Sequence, residues 1–356
     1  MQPVLYAVLS DIHANFPALK AVETDAVNVA RALNAQSLHF VVLGDVVDYG
    51  PQPNECMDWI TEHAEIVIQG NHDMDVMDSA YKPPHTISRE YWPITIWTRA
   101  VLSREHRGRI REWQPGLCRL NSQLPVELKD FMLFHSSLKY GHHGTVKTSQ
   151  DAWENLDLIR KEGITYGLFG HTHIQGYFVN SLPLWEQHKK DTTLYLICPE
   201  HKSQRQRNGT SKWKPAYLES APETKATGCT PWETLPAHPA LFNPGAAGQP
   251  RLSSLQDRET FHDPRAAYML LKSNGQMQFQ FRRTAYDVDE TIRSLREDVY
   301  WPPDAYQNRR GSDILREEGA TTDMLNTLPA DFLSIVHKMK TMLPNLVERV
   351  LVPQLR

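Results

Sequence analysis

The chain has little of what would assign it to a special class. Its 356 residues include four cysteines, Cys56, Cys118, Cys198 and Cys229, and no Cys-x-x-Cys pair. Neither a zinc ribbon nor a disulfide framework is expected, and a reducing cytoplasm is the default compartment. No apolar run approaches the ~20 residues that a membrane span needs. The N-terminus has no basic flank and its apolar run stops at Asp11, so no secretory leader is expected. Neither sign of charge dominates: the net charge is −4, which gives no basic field for nucleic acid or an anionic membrane. Internal repeats and low-complexity tracts are also missing. The hydrophobic fraction of 40% and charged fraction of 22% are those of an ordinary globular protein. The length sets a soft prior of roughly two domains.

What the chain does have is histidine, sixteen in all, and their positions matter more than their number. The stretch "VLSDIHAN" ends an apolar run, Val4 to Leu9, with Asp11 and His13. Residues two apart on a strand point to one face, so the carboxylate and the imidazole converge. Phe16, Leu19, Val22, Val27, Ala30 and Leu33 then recur at near-helical spacing, with Pro17 near the start. A second strand, Phe40 to Leu43, stops at Gly44-Asp45. A short helix over 54–63 leads to a third strand, Glu65 to Gln69, which ends in Gly70-Asn71-His72-Asp73. A helical stretch is expected over 87–109, then a strand ending at His135, a helix over 149–161 and a strand ending at Gly170-His171-Thr172-His173. Alternating strands and helices predict an α/β fold with a largely parallel central layer.

Five strand ends thus carry metal-type ligands. In α/β sheets, ligands gather beyond the carboxyl ends of the strands, where the loops converge. Alone, Asp11 would be read as a helix cap, His135 as a hydrogen-bonded rim histidine and Asn71 as a turn residue. As an ordered set they read as a metal centre.

The set resembles the calcineurin-like metallophosphoesterases, whose pattern runs Asp-x-His, Gly-Asp, Gly-Asn-His-Asp/Glu, His and Gly-His-x-His. "SDIHAN", "GDVVDYGPQP", "GNHD", "WTRAVLS", "GHTH" and "NPGAAGQPR" are similar to the small bacterial branch of phosphodiesterases and diadenosine-tetraphosphatase-like proteins. Two departures are Ala14, where that branch usually has glycine, and Ala246, where it usually has serine. The resemblance implies a four-layer α/β/β/α sandwich with the site on one rim. By matching motif, a first metal takes Asp11, His13, Asp45 and His173. A second takes Asp45, Asn71, His135 and His171, so Asp45 bridges the pair.

The donors are nitrogen and oxygen, suited to manganese, iron, zinc or nickel; the resemblance favours two manganese ions. Two divalent ions against only two carboxylates leave a surplus of positive charge that draws in a phosphate. The implied reaction is attack on phosphorus by a metal-bridging hydroxide, with no phosphorylated enzyme residue. His72 is expected to protonate the leaving oxygen and Asp73 to hold its tautomer; Asp73 could equally be a cap for the turn that follows. Asn15 and Arg251 are candidate phosphate contacts, and His142 and His143 are candidates for the pocket wall.

The expected function is hydrolysis of a phosphodiester, nucleotide-like or small-molecule. Rivals are a phosphomonoesterase or protein Ser/Thr phosphatase, a nuclease using Lys202, Arg205, Arg207, Lys212, Lys214 and Trp213, and a non-catalytic protein-binding scaffold. No membrane partner is expected, and nucleic acid is not favoured. The phosphoesterase domain is expected over 1–290, with a long, partly ordered insertion over about 180–238 that serves as a lid or partner surface. A mostly helical extension over 291–356 carries Phe332, Ile335, Val336, Met339, Met342 and Leu343 at helical spacing and could pack on the core or hold a protein partner.

Overall fold

The structure, a computed structural model, describes residues 2–78, 92–115, 117–118, 125–142, 144–180, 192–198, 213–220, 227–249 and 263–297. The chain opens with β1 (Val4–Leu9), α1 (Phe16–Ala32), β2 (Ser37–Val42), α2 (Pro53–His63), β3 (Ala64–Gln69) and α3 (Asn71–Met77). Helices α4 (Trp92–Val101) and α5 (Arg104–Glu112) lead to the short strands β4 (Gln114–Pro115) and β5 (Leu117–Cys118). Next come β6 (Phe131–Phe134), α6 (Ser149–Lys161), β7 (Tyr166–Leu168) and β8 (Gly176–Asn180). These are followed by β9 (Thr192–Cys198), β10 (Trp213–Tyr217), β11 (Glu219–Ser220), β12 (Thr227–Cys229) and β13 (Glu233–Thr234). Then β14 (Ala240–Asn243), β15 (Ala266–Ser273), β16 (Met277–Thr284) and α7 (Val288–Glu297) complete the described elements.

Among the described residues the strands form two sheets. One runs β11-β12-β16-β15-β1-β2-β3-β4, with β13 also on β16; the other runs β10-β9-β8-β14-β7-β6-β5. Each has a parallel centre, β1-β2-β3-β4 in one and β6-β7-β14 in the other; β15 joins the first antiparallel, and β5 and β8 join the second antiparallel. The single parallel layer expected from alternation is therefore two such layers back to back.

Side-chain alternation explains the stacking. On β1, Leu5, Ala7 and Leu9 join α1 and α2 in one core, while Tyr6 and Val8 join a second core between the sheets. On β6, Phe131 and Leu133 face that same central core, and Met132 and Phe134 face α6. Strands buried on both faces must be apolar throughout, which is why they read as continuous runs. The result is the α/β/β/α sandwich.

Two expectations need correction. The helix expected over 87–109 is broken at Leu102 and Ser103, where the Ser103 hydroxyl accepts the His106 N–H at 3.0 Å and starts α5; residues 87–91 lie outside the described residues. The segment over 180–238, expected to be partly ordered at best, contributes strands to both sheets: β9 and β10 extend one, while β12 and β13 pair with β16 in the other. Lys202, Arg205, Arg207 and Lys212 lie outside the described residues, whereas Trp213 and Lys214 fall in β10. Of the C-terminal extension only α7 is described; it contacts α1, and its Ile292 and Leu295 are buried. The apolar series from Phe332 to Leu343 lies outside the described residues. Among the described residues no helix is long and apolar enough to cross a membrane.

Candidate metal centre

The loops that leave β1, β2, β6 and β7 keep pairing beyond the strands. Asp11 N–H donates to the Gly44 carbonyl at 3.0 Å, His13 N–H to that of Asp45 at 2.9 Å, and Gly170 N–H to that of His135 at 2.9 Å. This pairing extends the rim of each sheet and holds unusual backbone there. Asp11, His13, Ala14, Asp45, His171 and His173 all have φ between 48° and 63°, a region that costs a non-glycine residue on the order of 1 kcal/mol or more. Glycines precede two ligand groups for a steric reason. A Cβ at Gly70 would collide with Asp45 Oδ1, and one at Gly170 with Ser10 Oγ and Asp11 Oδ2, so these backbones cross directly over the carboxylates.

Two donor groups result. Asp11, His13, Asp45 and His173 are all buried and bring one ligand atom each to within 4.8 Å of the others; Asp45, His135 and His171 form the second group. Asp45 is common to both. Asn71 joins the second, its Oδ1 lying 3.1 Å from His135 Nε2 and 2.8 Å from His171 Nδ1. All seven residues expected at the centre from sequence are therefore in one place.

The donor chemistry fits cations. His135 Nδ1 lies 2.6 Å from the Leu43 carbonyl and His173 Nδ1 lies 2.7 Å from that of Gln249. A carbonyl can only accept, so each Nδ1 carries a hydrogen and each Nε2 is left to face the site. His173 Nε2 then meets His13 Nε2 at 3.2 Å and Asp11 Oδ1 at 3.2 Å. His135 Nε2 lies 3.0 Å from Asp45 Oδ2, a fully buried oxygen that accepts no well-aligned hydrogen bond. Lone pairs this close need a proton or a metal ion between them.

The titration of the metal-free site expresses the same demand. Burial alone would depress His135, but the Asp45 and Asp11 carboxylates outweigh it and raise the imidazole to about 9. Burial likewise works to raise Asp45, yet the imidazoles of His135, His72 and His13 win and hold it well below the usual carboxylate range. Asp11 goes the other way, lifted to about 6 by burial and by Asp45 despite the opposing pull of His135.

His72 stands beside the donors. Its N–H donates to Asp45 Oδ1 at 2.9 Å, and its Nδ1 lies 2.8 Å from Asp48 Oδ2, which also accepts the Thr95 hydroxyl at 3.0 Å. This corrects the expectation for Asp73. The Asp73 carboxylate accepts four backbone N–H groups, from Asp45, Val46, Val47 and Gly70, at 2.9–3.1 Å. It caps the start of α3 and braces the loop of the bridging aspartate; the partner of the His72 imidazole is Asp48. Sequence reading missed Asp48, although its place three residues after Asp45 in "GDVVD" was a visible signal. The His72 side chain keeps 17% of its surface exposed against 1% for Asp48, so the imidazole is the member open to a ligand. Burial pulls the imidazole down, but Asp45 and Asp48 together raise it to about 9.

Asn15 is also corrected. Its Nδ2 donates to the Gly248 carbonyl at 2.9 Å and to the Tyr286 hydroxyl at 3.2 Å. Its Oδ1 accepts from Ala18 N–H at 3.3 Å and from the Thr291 hydroxyl at 3.0 Å. With both amide ends engaged in capping α1 and fastening α7, nothing is left for a phosphate. Arg251 and His143 lie outside the described residues; His142 sits in the turn after Gly141.

Residues 5–175 match the family model for calcineurin-like phosphoesterases. Over that stretch the resemblance to the calcineurin-like metallophosphoesterases is shown. An uncharacterized protein of Methanocaldococcus jannaschii is 31% identical over 183 residues, which cover 50% of this chain and 65% of the relative, just under two thirds of its length. Two solved structures share the fold. A metallophosphoesterase from Sphaerobacter thermophilus aligns with TM-score 0.55 and 22% identity over 83% of this chain and 94% of its own. A hypothetical protein from Pyrococcus horikoshii aligns with TM-score 0.55 and 14% identity over 90% of this chain and 100% of its own.

Proposed function

We propose, from the calcineurin-like phosphoesterase character of residues 5–175, that this protein hydrolyses a phosphodiester of a small molecule or nucleotide with the help of two divalent cations, manganese foremost. The observation that carries this reading is the pair of donor groups sharing Asp45. Asp11, His13, Asp45 and His173 would hold one ion, and Asp45, Asn71, His135 and His171 the other. Two such ions supply Lewis acidity toward the phosphoryl oxygens and lower the pKa of the attacking water.

The chain's own residues do the rest. His72, held at Nδ1 by Asp48 and partly exposed, delivers a proton to the departing oxygen. Asp48 fixes the imidazole so that Nδ1 keeps its hydrogen and Nε2 faces outward. The preference for a diester rests on the likeness of "SDIHAN", "GDVVDYGPQP" and "NPGAAGQPR" to the phosphodiesterase branch. The test is hydrolysis of bis-p-nitrophenyl phosphate against the mono-ester with added manganese, then cyclic nucleotides, dinucleoside polyphosphates and a phosphopeptide. Faster turnover of the diester is expected; a clear preference for the mono-ester or phosphopeptide would replace this reading with a phosphatase.

A further inference from the structure

Tyr49 has the least comfortable backbone near the centre. Its φ is 67°, directly after Asp48 at 73°, and a bulky side chain in the left-handed region is an outlier. Gly50 N–H donates to the Asp48 carbonyl at 2.9 Å across it. A three-residue turn closed in this way around a positive φ is the rare, strained form of the γ-turn. The turn is held on every side. Asp48 Oδ1 accepts the Tyr49 N–H at 3.0 Å, Gln52 N–H donates to the Ala14 carbonyl at 3.0 Å, and a Cβ at Gly50 would collide with the carbonyl of His13. Strain that its surroundings over-determine in this way points to a role for the residue that bears it.

The side chain supplies the role. The Tyr49 ring centre lies 4.6 Å from that of His13 and 4.4 Å from that of His72, while His13 and His72 stand 5.0 Å apart and nearly perpendicular, at 82°. The three rings form a closed triangle in which one phenol touches both a metal-group histidine and the histidine assigned to proton delivery. Asp48 holds His72 at its Nδ1 edge, and the Tyr49 ring packs beside the imidazole at 55°. We propose that Tyr49 is a positioning residue whose ring locks the angle between His13 and His72, and that the strained turn is kept for this purpose. The role of His72 in this proposal rests on the function proposed above.

Full-length Tyr49→Asn and Tyr49→Gly remove the ring while suiting the left-handed backbone, and Tyr49→Phe keeps the ring. Both ring-less variants should fold with a Tm no more than a few degrees below the parent and with unchanged metal content by elemental analysis. Their kcat on bis-p-nitrophenyl phosphate should fall about 10²-fold, as for a misaligned catalytic group, with little change in KM, and Tyr49→Phe should restore it. A loss of turnover that Phe does not restore, turnover equal to the parent in the ring-less variants, or failure of both to fold would overturn the proposal. A second readout is independent of activity. In the metal-free protein, the nuclear Overhauser contact between the His13 and His72 imidazole protons, whose ring centres lie 5.0 Å apart, should weaken when the ring is lost and persist with Phe. If the parent cleaves no phosphoester, the function falls while this spectroscopic arm still decides the role of Tyr49; an imidazole contact unchanged by ring removal would overturn it.

Discussion

Oδ2 of Asp48 lies 2.8 Å from Nδ1 of His72, so the imidazole is aimed by the loop after β2 and not by its own neighbour in sequence. Thr95, on α4, donates to the same oxygen and ties a third element to the pair. Asp48→Asn keeps the shape but loses the charge and can present the wrong hydrogen-bond partner to the ring. We expect kcat to fall by about 10² or more with metal content unchanged, checked by steady-state kinetics beside elemental analysis. The His72 pKa should fall as well, because Asp48 is one of the carboxylates that raise it.

Asp73 should behave differently. Its removal strands four buried N–H groups in the loop that carries Asp45, and unmet buried donors cost on the order of 1–3 kcal/mol each before relaxation. Asp73→Ala is expected to lower unfolding stability by about 3 kcal/mol and to weaken metal binding alongside. A variant with parental Tm but lost turnover would return Asp73 to a direct part in catalysis.

The ligand set was legible because each strand is an apolar run cut short by a ligand, and the covering of both sheet faces forces that sharp contrast. Asp48 was harder to place. Its link to His72 crosses between two loops whose approach depends on the register of β2 with β3, which local pattern does not report. The roles of Asp73 and Asn15 were left open in sequence for a related reason: a polar residue beside a ligand looks the same there whether it meets substrate or backbone N–H groups. The strand β9 was hidden by its flanks. Averaged over 180–238 the composition is polar, yet Leu194, Leu196 and Ile197 are buried in two different cores.

Metal binding should release protons. His135 is raised to about 9 in the metal-free site, so at pH 7 a proton occupies the place a cation would take. Calorimetric titration with manganese in buffers of different ionisation enthalpy should show net proton release near pH 7, and affinity should weaken as pH falls. Buffer-independent heats would contradict the donor assignment of His135.

Away from the centre, Asp263 pairs with Arg265 at 2.8 Å through both oxygens and lies 3.7 Å from Arg283. Burial works to raise its pKa, but the Arg265 hydrogen bond and the two guanidinium charges outweigh it, and the folded value falls below 3.8. A depressed carboxylate contributes stability that is fully present above the unfolded value and is lost as pH falls through the folded one. Asp263→Asn should therefore cost about 2 kcal/mol at pH 7, and the gap should narrow below pH ~3.8. Denaturant unfolding of both proteins at several pH values checks the trend.

The most direct test is metal stoichiometry. Purified protein stripped and reloaded with manganese should hold two ions per chain by elemental analysis, and Asp45→Asn should lower the retention of both because Asp45 belongs to both donor groups. Parental protein that retains no ion, or Asp45→Asn that retains two as tightly as the parent, would contradict the shared centre on which the account is built.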